Sequence, residues 1–189
     1  MQKKIIRKAV IKKRNLINQN TWKLHSSIIC KKIIQKINLL NKKIGIYFPI
    51  NNEVSILELC NLVKCKKYFP KIKNNKINFC EYFSEKKINY FESLKAPKQF
   101  NLMFENKTLN PQIIKNILIP EIIFIPLVAF NEKCFRVGYG GGFYDKYLAN
   151  KSIIKIGVAF EFQKIEFTPE KHDIQLNYVF TEKKVYHSN

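Results

Sequence analysis

The stretch Arg136-Val137-Gly138-Tyr139-Gly140-Gly141-Gly142-Phe143-Tyr144-Asp145 gathers residue types that handle anions and metals. The chain has six glycines, and four of them lie between Gly138 and Gly142. Glycine reaches φ > 0 and lets another group approach the backbone closely. Clustered glycines can turn successive N–H groups toward one anion. Phe143, Tyr144, Tyr147 and Leu148 follow at helical spacings. The turn therefore opens into a helix whose first N–H groups lack intrahelical partners. Taken alone, the stretch fits two readings, a phosphate or carboxylate site and a plain surface loop.

Scarce residues sharpen the first reading. The chain has only two aspartates, Asp145 and Asp173, and three arginines, Arg7, Arg14 and Arg136. Mg²⁺ prefers one or two carboxylates together with phosphate oxygens and water. Arg136 immediately precedes the glycines, while Arg7 and Arg14 project from one face of a basic helix, seven residues apart. The generic phosphate motifs do not match. A dinucleotide fingerprint needs a third glycine where Phe143 stands, and neither a Walker A motif nor kinase signatures occur.

The elements that must position these residues follow from periodicity. Residues 3–17 read as an amphipathic helix with Ile6, Val10 and Ile17 on its apolar face, and residues 24–38 as a second helix. Residues 44–48 read as a buried strand ended by Pro49, and residues 53–63 as a helix. Strands are expected at 66–70, 76–83, 121–130 and 155–162, with a short one within 177–182. Residues 84–112 read as loops and short elements, 168–173 as a loop, and the tail after Tyr186 as frayed. The alternation predicts one domain over 1–189 of α/β class, a layered open sheet, mostly parallel, with helices on both faces. Ligands in such sheets gather beyond the carboxyl ends of the strands. That rule draws together Glu53, the glycine turn with Asp145, and Asp173.

Composition bounds the partners. The 189 residues are 46% hydrophobic, which suits a sizeable core. No uninterrupted apolar run reaches the ~18 residues of a membrane span, and the basic N-terminal region lacks a signal-peptide pattern. Five cysteines without a CxxC pair read as reduced thiols, so a cytoplasmic location is expected. The net charge of +20 is almost all lysine and is spread along the chain. Loose association with nucleic acid at low salt is expected, but no specific nucleic-acid site. A monomer is expected.

With these residues in view, residues 128–149, VAFNEKCFRVGYGGGFYDKYLA, resemble the signature of the 5-formyltetrahydrofolate cyclo-ligase family, also called 5,10-methenyltetrahydrofolate synthetase. The basic KKIIRKAVIKKR, the strand-and-loop YFPINNEVS at 47–55, and KIGVAFEFQ and TPEKHD within 155–173 resemble its other segments in the same order. Asn110, Leu127 and Asn131 depart from the residues usual in that family.

The resemblance implies a ligase that converts 5-formyltetrahydrofolate to 5,10-methenyltetrahydrofolate with Mg-ATP, releasing ADP and phosphate. It implies ATP contacts from Lys3, Lys4, Arg7, Arg136, Gly138, Tyr139, Gly140, Gly141, Gly142, Phe143 and Tyr144. It implies folate contacts from Phe48, Glu53 and residues Tyr139 to Phe143, and Mg²⁺ ligation by Asp145 and Asp173. No protein nucleophile is implied, and His172 is not required as a base. Each residue also has an ordinary role open to it: a solvated helix face for the N-terminal cations, core packing for Phe48, and helix-start carboxylates for Glu53 and Asp145. The rival function is a non-catalytic nucleotide- or RNA-binding protein of the same fold.

Overall fold

The computed structural model describes residues 2–73, 76–81 and 118–188. The loops expected at 84–112, Asn110 among them, and the end of the strand expected at 76–83 lie outside these residues.

Helix α1 (Lys3–Asn15) buries Ile6, Val10 and Arg14, which recur every fourth residue along one face. Helix α2 (Gln19–Lys36) starts five residues earlier than expected, because the Asn18 side chain accepts from Thr21 N at 2.9 Å and caps it. It buries Ser26, Ile29, Cys30 and Ile33. Strand β1 (Lys43–Gly45) leads into the loop that carries Glu53. Helix α3 is only Leu59–Leu62, not 53–63. Residues 53–55 give their backbone groups to side chains instead: Trp22 Nε1 donates to Glu53 O at 2.7 Å, Tyr47 Oη donates to Val54 O at 2.7 Å, and Ser55 N donates to Ser26 Oγ at 3.1 Å. Glu53 therefore does not open a helix.

Strands β2 (Lys66–Lys73) and β3 (Lys76–Glu81) form an antiparallel pair. Strand β4 (Ile122–Pro126) is a continuous apolar run, as a strand covered on both faces should be. It stops at Pro126. The residues expected to continue it form β5 (Ala129–Phe130), which pairs antiparallel with β6 (Arg136–Val137) in a separate hairpin. Helix α4 (Phe143–Leu148) follows the glycine turn. Strand β7 (Ile154–Val158) ends before the expected 162, since Glu161–Gln163 is a 3₁₀ turn closed by Gln163 Oε1 accepting from Phe160 N. Strand β8 (Tyr178–Phe180) pairs with β9 (Val185–His187), so His187, the first residue of the tail expected to fray, is held in the sheet opposite Tyr178.

The seven-stranded sheet has the order β3-β2-β1-β4-β7-β8-β9. Its five central strands are parallel, and among the described residues the antiparallel strands β3 and β9 lie at its edges. Helices α2 and α3 pack on one face through Ile29, Ile33 and Leu59, and α4 packs on the other through Leu148. Helix α1 sits off the sheet and packs against the β5–β6 hairpin through Ile6, Val10, Val128 and Val137. The layered α/β architecture expected from sequence is the one observed. The order reverses between β1 and β4, so the crevice at their carboxyl ends is the switch point where such sheets take ligands.

Candidate functional site

Helix α1 runs across that crevice and presents Lys3, Arg7 and Arg14 to three different loops. Lys3 Nζ lies 2.9 and 2.7 Å from the two carboxylate oxygens of Asp173 and 3.1 Å from Glu170. Arg7 Nε donates to Gly138 O at 2.7 Å, which lays its guanidinium on the glycine turn. Arg14 is fully buried. Its Nε donates to Asn51 O at 2.7 Å, its Nη1 to Leu127 O at 3.2 Å, and its Nη2 to the Tyr139 hydroxyl. Lys4, by contrast, is exposed and touches none of these loops in the described hydrogen bonds and ion pairs.

In the turn itself, Gly140 has φ +107° and Gly142 has φ +63°. Side chains rarely adopt these values, which accounts for glycine at both. A Cβ at Gly141 would meet the Phe143 ring at 2.6 Å, whereas one at Gly138 would meet nothing within 4 Å. Gly140→Ala should therefore cost about 1–2 kcal/mol of backbone strain. Thermal melting should fall by roughly 2–8 °C for a chain of this size. Gly138→Ala should melt like the parent protein. Equal melting of the two variants would show that the positive φ at Gly140 is not enforced.

Beyond the turn, Asp145 lies in the first turn of α4. Its Oδ1 accepts from Arg136 Nη2 at 3.0 Å and from Ile174 N at 3.2 Å. Arg136 is buried and also donates through Nη1 to Ile174 O at 3.3 Å. Asp173 precedes Ile174, so this docking brings the two aspartates of the chain into one neighbourhood. Each already has a cation beside it, Arg136 for Asp145 and Lys3 for Asp173. His172 is exposed and lies 3.3 Å from Glu170. Tyr144 is packed edge-on near Phe79, and burial raises its hydroxyl pKa well above the usual value.

On the other side of the crevice, the loop after β1 holds Phe48 and Glu53. Phe48 stacks on Phe69 with ring centroids 4.2 Å apart and joins the apolar core at its edge. Asn51 and Asn52 are both left-handed, at φ 47° and 54°, and this sharp turn points Glu53 back inward. Glu53 is 3% exposed. Its Oε2 accepts from Ile50 N at 3.0 Å, while Oε1 is buried with no hydrogen-bond partner among the described residues. The Tyr139 hydroxyl approaches the carboxylate without reaching full hydrogen-bond geometry. Burial pushes the Glu53 carboxyl up to about 7, against the pull of Arg14, the Ile50 N–H and Tyr139 toward the ionised form. A buried acceptor without a donor is costly to keep. Here it faces a turn crossed by a guanidinium, so the arrangement suits a ligand that brings N–H groups to Glu53 and an anion to the glycines.

Two residues that sequence reasoning left out of the site are central to it. Arg14 was visible only as one of three scarce arginines, spaced seven from Arg7. Gln163 gave no signal; it is buried, and its Nε2 donates to Leu127 O at 3.2 Å and Val128 O at 2.7 Å, holding the end of β4. Among the described residues there is no group of three or more His, Cys, Asp or Glu side chains placed to hold a metal, and no helix long and apolar enough to cross a membrane.

Comparison with known proteins identifies the family of the chain. The model of the 5-formyltetrahydrofolate cyclo-ligase family matches residues 1–182. A 5-formyltetrahydrofolate cyclo-ligase from Mycoplasma genitalium is 33% identical over 95% of this chain and 97% of its own. The structure of a 5,10-methenyltetrahydrofolate synthetase from Mycoplasma pneumoniae superposes with a TM-score of 0.70 at 26% identity, covering 96% of this chain and 99% of that one. That of the Aquifex aeolicus synthetase shares the fold, with a TM-score of 0.71 at 24% identity over 99% and 93%. The chain belongs to the 5-formyltetrahydrofolate cyclo-ligase family.

Proposed function

We propose that this protein closes 5-formyltetrahydrofolate to 5,10-methenyltetrahydrofolate at the expense of ATP, with Mg²⁺ as cofactor. The observation that carries the reading is Glu53: a buried carboxylate with an unclaimed oxygen, facing a glycine turn at the sheet's switch point. Family membership supplies the reaction, and the geometry suits its two demands.

The first demand is activation. A formamide oxygen is a poor leaving group. The formyl oxygen attacks the γ-phosphorus of ATP, the bond to the bridging oxygen breaks, and ADP leaves. The second is closure. N10 attacks the formyl carbon, the carbon–oxygen bond breaks, N10 loses its proton, and inorganic phosphate departs. N10 is tethered to the same molecule, so closure gains a high effective concentration. Neither step needs a protein nucleophile. The protein's work is to position the reactants and compensate charge. In this reading Lys3, Arg7 and Arg136 face the triphosphate, with Lys4 supplying only long-range charge. The turn Gly138–Gly142 lies along the phosphates, and Phe143 and Tyr144 wall the nucleotide side. Glu53 accepts the folate's N–H groups, Phe48 flanks its ring, and Tyr139 stands between the two substrates.

Asp145 and Asp173 fit Mg²⁺ chemically, because the ion commonly takes one or two carboxylates and completes its shell with phosphate oxygens and water. Mg²⁺ would supply charge neutralisation at the phosphates. The two carboxylates alone are too few to hold it, so metal and nucleotide are expected to bind together.

The test is the ATP-dependent rise in methenyl-folate absorbance when 5-formyltetrahydrofolate is supplied. No rise, alongside retained ATP binding, would favour the non-catalytic nucleotide-binding alternative. Arg7→Ala bears on the nucleotide half. It should weaken a non-hydrolysable ATP analogue by about 1–3 kcal/mol, the worth of a charge-assisted contact, and change folate binding less. Calorimetric titration at two salt concentrations measures it. Unchanged analogue affinity would remove α1 from the ATP site.

A further inference from the structure

Arg14 is out of place as a structural residue. Its guanidinium is fully buried, yet no carboxylate forms an ion pair with it among the described residues. Burying an unpaired charge is expensive. Its hydrogen bonds go to Asn51 O in the Glu53 loop, Leu127 O at the end of β4, and the Tyr139 hydroxyl in the glycine turn. Those are the three walls of the crevice. The Asn52 side chain also returns a bond to Arg14 O at 3.4 Å, so helix and loop grip each other.

The bond to Tyr139 has a direction. Arginine has no acceptor, so Tyr139 accepts from Arg14, and its own hydroxyl proton must point elsewhere. The neighbouring acceptor is the Glu53 carboxylate, whose Oε1 has no other partner among the described residues. The groups facing Glu53 are Arg14 from α1, Tyr139 from the turn, Tyr144 from α4, and Tyr47 and Ile50 N from its own loop. Arg14 is the one cation that favours its ionised form.

We propose that Arg14 is a positioning residue for the folate side of the reaction, turning the Tyr139 hydroxyl proton toward Glu53 so that the carboxylate is held in place to accept the folate N–H groups. This rests on the function proposed above. Arginine rather than lysine is required, because only the planar fork reaches two carbonyls and a phenol at once.

Arg14→Lys and Arg14→Gln are the variants, in the full-length protein. Both should raise the folate KM by about tenfold or more, with the affinity for a non-hydrolysable ATP analogue within about twofold of the parent value. The chain's single tryptophan, Trp22, donates to Glu53 O, so its fluorescence reads folate binding without turnover and should show the same loss. The acid limb of kcat/KM for folate should move to higher pH in Arg14→Gln, since the cation favouring ionised Glu53 is gone. Arg14→Gln and Tyr139→Phe should be non-additive in one double-mutant cycle.

Arg14→Lys keeps the buried charge and serves if the glutamine variant does not fold. A lower melting temperature with unchanged folate KM and acid limb would overturn the proposal and leave Arg14 as a brace. Equal losses toward folate and nucleotide would overturn it as well. Parent protein that neither binds nor converts 5-formyltetrahydrofolate would overturn the functional reading itself, and this proposal with it.

Discussion

Glu53→Gln should cripple the protein on folate and at the same time make it melt at a higher temperature at pH 8. The stability half follows from burial. The Glu53 carboxyl is raised to about 7 from an ordinary 4.5, chiefly by desolvation. The folded state thus binds this proton more tightly than the unfolded chain does. Its contribution to stability is complete below about 4.5 and is lost as the pH rises through about 7. Above that range, the ligand-free protein holds a desolvated carboxylate at a cost on the order of 3 kcal/mol. Glutamine keeps the volume and can still accept from Ile50 N. The variant should therefore melt above the parent protein at pH 8, with the gap closing toward pH 5.

The activity half has the opposite sign. A carboxylate that accepts folate N–H groups loses charge-assisted bonds of about 1.5–3 kcal/mol each when neutralised. The fall in kcat/KM for folate should be about a hundredfold if two such bonds are weakened. In the parent protein the same ratio should drop as the pH falls below about 7, where Glu53 takes up its proton. Steady-state kinetics and paired melts at pH 5 and 8 check both halves. Unchanged folate kinetics with lost ATP affinity would put this loop on the wrong substrate. Equal melting at pH 8 would show that the carboxylate is solvated when charged. A residue that destabilises the free protein and serves the bound one is what a binding carboxylate should look like.

Much of this was legible in the sequence, for reasons that differ by element. The parallel core was readable because strands alternate with helices and β4 is an apolar run that needs cover on both faces. The glycine turn was readable because six glycines in 189 residues made four together conspicuous. The 53–63 helix was overextended, since its apolar spacing said nothing of Trp22, Tyr47 and Ser26 capturing the backbone of residues 53–55. Hairpin β5–β6 has two residues per strand, too few for any period. Strand β9 gave no signal because three residues, Val185–His187, are too few to show a period. Arg14 escaped the site list because an arginine on an amphipathic helix reads as solvated; only the tertiary fold shows that it is buried against the Glu53 loop, the end of β4 and the glycine turn. Chemical type was local information, and partnership was not.

Asp145→Asn should separate the metal role of this carboxylate from its structural one. Asparagine can still accept from Arg136 and Ile174 N through Oδ1, but it no longer neutralises Arg136, whose side chain is 4% exposed. Breaking a fully buried pair costs about 3–5 kcal/mol. Asp145 is 23% exposed, so solvent screens part of that loss, and about 1–2 kcal/mol is expected. Melting should fall by a few degrees. The nucleotide behaviour carries the distinction. Without metal, the variant should bind an ATP analogue at least as well as the parent protein, because one negative charge facing the phosphates has gone. With Mg²⁺ added, the parent protein should gain affinity and the variant should gain about tenfold less, since a carboxylate ligand is missing. Among the described residues both contacts of Asp145 fall on Oδ1, which leaves Oδ2 to reach such an ion. Analogue titrations in chelator and in Mg²⁺ read the two effects directly. A variant that loses melting temperature but keeps the full Mg²⁺ enhancement would make Asp145 the counterion of Arg136 and nothing more, and would leave Asp173, once released by Lys3, as the carboxylate that meets the metal.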